Sequence, residues 1–213
     1  NGNNQARQQL NELTVSVTAL SATFTALGKV ISDVSREFNK SLTNLQSITN
    51  ITDAQVKKLG DSIKELSGLK DVADTALEIS NAVNELAGNG FDNLTTSMKI
   101  ATIAGQAAAA GNVKTADSVR LLSGIMNSYN TKSAKDAAEI SDKLFTIVGR
   151  GSVKFEALAN NMSQLLPIAS STGVSLNDLG GAIIRMSQTS MPMAQIETGL
   201  SGLIRQLGAA TPE

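Results

Sequence analysis

Neither cysteine nor histidine occurs among the 213 residues. Disulfides, thiolate nucleophiles and zinc sites built on thiolate or imidazole are therefore excluded, as is a Ser-His-Asp triad. Aromatics are almost as scarce, with five Phe, one Tyr and no Trp. Any core must be built from Leu, Ile, Val, Met and Ala, which suits helix-on-helix packing better than a sheet. Only three Pro interrupt the length, which again favours helix. Charged residues make up 17% and the net charge is −1. Lys and Arg are scattered, Lys57-Lys58 is the one adjacent pair, and no aromatic lies among them, so the footprint of a general nucleic-acid binder is missing. No apolar run approaches the ~20 residues that span a bilayer; Ala107 to Ala110 is merely a run of small side chains. No signal peptide opens the chain, which begins at Asn1 without Met; it is expected to be a piece of a longer protein.

What is present begins with a rail of apolar residues spaced alternately three and four apart. With Leu10 placed at a, the a positions are Leu10, Val17, Phe24, Ile31, Phe38 and Leu45. The d positions are Leu13, Leu20, Leu27, Val34, Ser41 and Ile48, with Ser41 the one polar break. A 3.5-residue repeat keeps one stripe of a helix facing a partner and supercoils it left-handedly. At 1.5 Å per residue the rail is about 58 Å long. Ser and Thr dominate off the rail (Thr14, Ser16, Thr18, Ser21, Thr23, Thr25), and a helix of such composition needs its stripe buried to persist. The e and g positions are mostly Thr, Ser and Gly. Salt bridges cannot set partner choice there, and small flanks together with Phe at two a positions favour three or more strands over a dimer. The alternative is a stripe that packs on its own domain. The oligomerisation seam expected from the pattern is Leu10, Leu13, Val17, Leu20, Phe24, Leu27, Ile31, Val34, Phe38, Leu45 and Ile48.

Beyond Asn50 the period is 3.6 throughout, and no two-residue alternation persists. Thr52 with Gln55 forms a capping-box start, followed by Val56, Leu59, Ile63 and Leu66 on one face up to Gly68. A further stripe, Leu69, Val72, Ala76, Ile79, Val83 and Leu86, runs to Gly88-Asn89-Gly90. From Phe91 the helices are short. Asn93 or Thr95 caps one through Ala110, which Gly111-Asn112 stops, and residues 114 to 129 carry Val119, Leu122, Ile125 and Tyr129. Ser133 with Asp136 opens the next, which Gly149 closes; Ser152 is placed as the cap of a helix bent or ended at Pro167. Ser175 caps a helix with Leu176, Leu179, Ile183 and Met186. Pro192 suits the first turn of the last one, with Ile196, Leu200, Leu203 and Leu207. The fold class is all-α: a long coiled-coil-like helix over 1–50, a helical connector over 51–92, and a helical domain over 93–213 truncated at its C-terminus.

Chemistry-bearing constellations are few. Gly149-Arg150-Gly151-Ser152 precedes a helix and could hold an anion, but it lacks the phosphate-loop pattern and a preceding strand. A helix stop joined to a helix start explains it equally. The acid pairs Asp61/Glu65 and Glu139/Asp142 share helical faces and could in principle do acid–base work, though solvated faces acquire such pairs routinely. Met162, Met186, Met191 and Met193 fill core gaps. No catalytic, cofactor-binding or metal-ligating residue is assigned, and no enzyme is expected.

Residues 111 to 207 resemble the core region of phage tail tape measure proteins. The matching features are Thr115-Ala116-Asp117-Ser118 leading to Met126-Asn127-Ser128-Tyr129, then Ala137-Ala138-Glu139-Ile140-Ser141-Asp142-Lys143-Leu144-Phe145. Phe155-Glu156-Ala157-Leu158-Ala159, Leu166-Pro167-Ile168-Ala169 and Gly173-Val174-Ser175-Leu176-Asn177-Asp178-Leu179 follow, and Thr198-Gly199-Leu200 opens a closing helix to Leu207. One departure is Ser190-Met191-Pro192, where the family pattern leads one to expect a Gly-centred turn. The resemblance implies a structural protein of a phage tail or tail-like particle, located in the tail tube or tip after assembly in the host cytoplasm. It implies that the protein's length sets tube length and that it leaves before the DNA. Expected partners are copies of itself, as a trimer or higher bundle, and tail tube and tail tip or baseplate proteins. No cofactor and no specific nucleic-acid site are implied, and membrane contact is confined to ejection. A membrane-perturbing segment, motivated by the small-residue helix Ile100 to Gly111, is the alternative reading; a cell-wall glycosidase is a third.

Overall fold

A computed structural model of the chain describes residues 32–49, 51–67 and 75–210. Two compact units are present, residues 1–40 and 41–213. A helix covers residues 32–49 (α1), and the division between the units falls within it. Of the first unit residues 32–40 are described, and there Arg36 pairs with Asp33 one turn away at 3.3 Å, both side chains largely in water.

The second unit continues with α2 (Asp53–Ser67), α3 (Ala76–Gly88), α4 (Leu94–Gly111), α5 (Thr115–Ser128), α6 (Ala134–Arg150), α7 (Phe155–Ser171), α8 (Leu176–Ser187) and α9 (Met193–Ala210). No strand occurs among the described residues, so the fold is all-α. The starts of these helices follow from their caps. Thr52 and Gln55 exchange hydrogen bonds ahead of α2, with the Thr52 N–H donating to Gln55 Oε1 at 2.9 Å. Asn93, Ser133 and Ser175 accept from backbone amides at the heads of α4, α6 and α8. α4 ends on Asn112 in the left-handed region (φ 53°), which suits an asparagine.

Packing is centred on α5, which touches α3, α4, α6 and α7. Val119, Leu121, Leu122, Ile125 and Met126 are all buried on one broad face, while Ala116, Arg120 and Asn127 form an exposed strip opposite. α7 adds Phe155, Leu158, Met162, Leu165 and Leu166, and α9 seats mainly on α7. Each fully buried large side chain contributes roughly 1.5–3 kcal/mol. α4 lies against α3, α5 and α6 through Ile100, Ala101, Ala104, Ala107 and Ala108, so its small side chains serve close helix packing. Gly111, at its end, leaves room for the Phe155 ring: a Cβ there would stand 2.7 Å from Phe155 Cγ. Phe155 in turn stacks on Phe145 with ring centroids 5.1 Å apart.

Two local expectations are corrected. Of the two outcomes expected at Pro167, a bend or an end, the end does not occur: α7 runs on to Ser171. Pro167 and Ser163 both lie on the exposed face, so the carbonyl that loses its donor meets water, while buried Leu165, Leu166 and Ala169 hold the helix in place. Ser152 does not cap α7; that position is Lys154, which provides no side-chain cap. The Ser152 N–H instead donates to Ser187 Oγ at 3.1 Å.

Candidate functional site

The surfaces of this chain are helix faces, and the most elaborate contact is where α1 meets α3. Ser41, the polar break in the apolar rail, is buried there beside Ser80, which is fully buried. Ser80 Oγ donates to Ser41 Oγ at 2.8 Å, and Ser41 Oγ donates to Asn81 Oδ1 at 2.9 Å. Asn84 Nδ2 donates to Ser41 Oγ at 2.6 Å and to the Ser41 carbonyl at 2.8 Å, while its Oδ1 accepts from Asn44 Nδ2 at 3.1 Å. Leu42 and Leu45 are buried alongside. Leu42 is off the rail, so the buried face of this stretch is wider than the expected stripe.

Of the rail residues, Leu10, Leu13, Val17, Leu20, Phe24, Leu27 and Ile31 lie outside the described residues. Val34 (48%) and Ile48 (44%) are exposed, whereas Phe38 and Leu45 are buried.

A polar belt joins α3 to α5. Asn89 Nδ2 donates to Ser123 Oγ at 3.1 Å, and Asn127 Nδ2 donates to the Asn89 carbonyl at 3.1 Å. Lys132 closes the end of α3: its Nζ donates to Asn127 Oδ1 at 2.6 Å and to the Gly90 carbonyl at 3.3 Å, and lies 4.0 Å from the centroid of the Phe91 ring. Burial pushes the Glu85 carboxyl above its ordinary range; nearby Arg120 opposes this and Asp117 reinforces it.

Among the described residues, the second unit carries open concavities. An open cleft of about 600 Å³ lies beside the start of α7 and the α8–α9 turn, with Ser152, Lys154, Glu156, Asn160, Ser190 and Pro192 in its wall. Ser190 adopts φ 63°, a left-handed conformation at the turn where a glycine is expected from the family pattern. Another concavity, about 210 Å³, is bordered by Tyr129, Asp136, Glu139, Lys143 and Leu176. Tyr129 Oη donates to the Val174 carbonyl at 3.0 Å; burial, and secondarily Asp178, raises its pKa.

Of the constellations singled out for chemistry, the Gly149–Ser152 turn takes a structural role, while the Glu65 side chain of the Asp61/Glu65 pair lies outside the described residues. The Gly151 N–H donates to the Ile147 carbonyl at 2.8 Å, the Ser152 N–H is held by Ser187, and the Arg150 carbonyl accepts from Gln188 Nε2. These amides belong to an α6–α8 junction, and a Cβ at Gly151 would stand 2.7 Å from Ser187 Oγ. Glu139 and Asp142 are exposed, with Glu139 3.7 Å from Lys135. Among the described residues no three acidic side chains cluster to hold a metal ion, and no helix is long and apolar enough to cross a membrane.

The last helix differs from its sequence reading. Met193, Ile196, Leu200 and Ile204 form the buried face of α9, leaving Leu203 (53%) and Leu207 (60%) exposed. Both stripes have helical spacing, so the sequence alone carries no signal to separate them.

Residues 54–213 of this array, from α2 through the last helix, match the family described as phage-related minor tail protein. The chain belongs to that family. It is a structural component of a phage tail, and its place is the virion. No curated protein and no solved structure matches it.

Proposed function

We propose that this phage-related minor tail protein works as a segment of a tail tape measure. The family match over residues 54–213 supports a place in the tail. The observation that carries the finer reading is the apolar rail from Leu10 to Ile48, which leads directly into the matched region. Copies of the chain associate through the rail from Leu10 to Val34 as a trimer or higher bundle, while Leu45, already buried beside Ser41 within the single chain, is withdrawn from the expected seam. The bundle lies along the axis of the tail tube or tip, touching tube and baseplate proteins, and its extent sets the tube length. It leaves ahead of the DNA when the tail discharges. The part it plays is mechanical, carried by helix–helix contact, with no catalytic step.

The membrane-perturbing alternative gains no specific support, because the small side chains of Ile100 to Gly111 that motivated it are mostly committed to the core through α4. An in-frame deletion within the rail of the full-length gene tests the ruler. Tails imaged by electron microscopy are expected to shorten by about 1.5 Å per helical residue removed. Tails of unchanged length would overturn the reading.

A further inference from the structure

We infer that the Ser41 layer is a register lock, the element that fixes where residues 41–49 of α1 seat along α3. A serine hydroxyl has one donor and two acceptor lone pairs, and all three are used. Ser41 Oγ donates to Asn81 Oδ1 and accepts from both Ser80 Oγ and Asn84 Nδ2. Asn44 closes the far side by donating to Asn84 Oδ1. The apolar part of the contact, Leu42 and Leu45, is tolerant of sliding, because one aliphatic side chain can replace another along a helix face. The polar part is not. A slide of one turn brings Leu45 opposite Ser80 and leaves the fully buried Ser80 hydroxyl without its acceptor, while Asn84 Nδ2 keeps only the Ser80 carbonyl of its own helix; the lost bond is unfavourable wherever water is excluded. A single polar layer in an apolar helix contact selects one alignment at some cost in stability.

The test uses the whole chain, whose lack of cysteine allows site-specific nitroxide labels. One label goes on Ser47→Cys, exposed on α1, and the other on Gly88→Cys, where a Cβ meets nothing within 4 Å. Pulsed electron spin resonance is expected to give one narrow distance with the layer intact. With Ser41→Leu and Asn84→Leu, a second distance is expected, displaced by about 5 Å, one helical turn, in at least about a tenth of the molecules. A single unshifted distance in that variant overturns the lock. Should the double variant lose its helical circular dichroism, Ser41→Ala decides by the same measurement. It preserves helix propensity while removing the acceptor of the Ser80 hydroxyl and one acceptor of Asn84 Nδ2, which keeps the backbone carbonyls of positions 41 and 80: a second distance supports the lock, and one unshifted distance overturns it.

Discussion

Glu85 is held part-buried on α3, and its raised pKa means that folding disfavours its charged form. For a raised carboxyl, the favourable contribution is complete below the unfolded pKa and disappears as pH rises through the folded value. Glu85→Gln is therefore expected to stabilise the chain at neutral pH, by less than about 1 kcal/mol because water screens the exposed part of the carboxyl. The gain should vanish at acid pH, which denaturant titrations at both pH values would show. Ser190 raises a backbone question instead. Its φ of 63° is costly for any residue with a Cβ, and the Ser190 N–H still donates to the Ser187 carbonyl at 3.0 Å. Ser190→Gly should relieve the turn by about 0.5–1 kcal/mol, net of the entropy a glycine loses on folding; an unchanged or lowered unfolding midpoint would refute the strain.

The helices themselves were largely legible, because their starts are written in local chemistry. At the head of α6 the Ser133 hydroxyl and backbone N–H both donate to Asp136, holding its carboxyl below its ordinary range. For a lowered carboxyl the stabilising contribution is present above the unfolded pKa and lost as pH falls through the folded one, so the first turn of α6 should loosen only in acid. Ser133→Ala should move the Asp136 titration back toward the usual carboxylate value, read by carbon NMR of that side chain; an unmoved titration would count against the capping box as its cause. What was not legible has equally local reasons. The Thr75–Glu78 capping box that starts α3 matches the Ser/Thr-x-x-Glu signature, but it lies inside an apolar stripe that continues at helical spacing from Leu69, and the stripe conceals it. Pro167 reads as a stop because its neighbours' burial is a tertiary fact. The face of α9 was undecidable because Leu203 and Ile204 are adjacent and equally apolar. Ser41 shows as a defect in the rail until Ser80 and Asn84, some forty residues away, are brought beside it.

For the whole molecule, the described fold is a second unit of packed helices, and the tail assignment rests on residues 54–213. The rail upstream carries the assembly question. Leu20→Asp with Leu27→Asp places two carboxylates in the proposed seam, where a desolvated charge is strongly disfavoured. Sedimentation should show the mass of the assembly falling to that of a single chain; an unchanged mass would refute the seam. Residue inventory was a good guide at this scale, since an absence of His, Cys and Trp is complete in the sequence, whereas helix-to-helix contacts are not. One such absence also leaves the chain with its own optical reporter. Tyr129 is the only tyrosine and there is no tryptophan, so near-ultraviolet fluorescence comes from one phenol, whose hydroxyl ties the end of α5 to Val174 ahead of α8. Emission at tyrosine wavelengths thus watches a single joint between two helices, and unlabelled protein can be followed through assembly by the state of that joint alone.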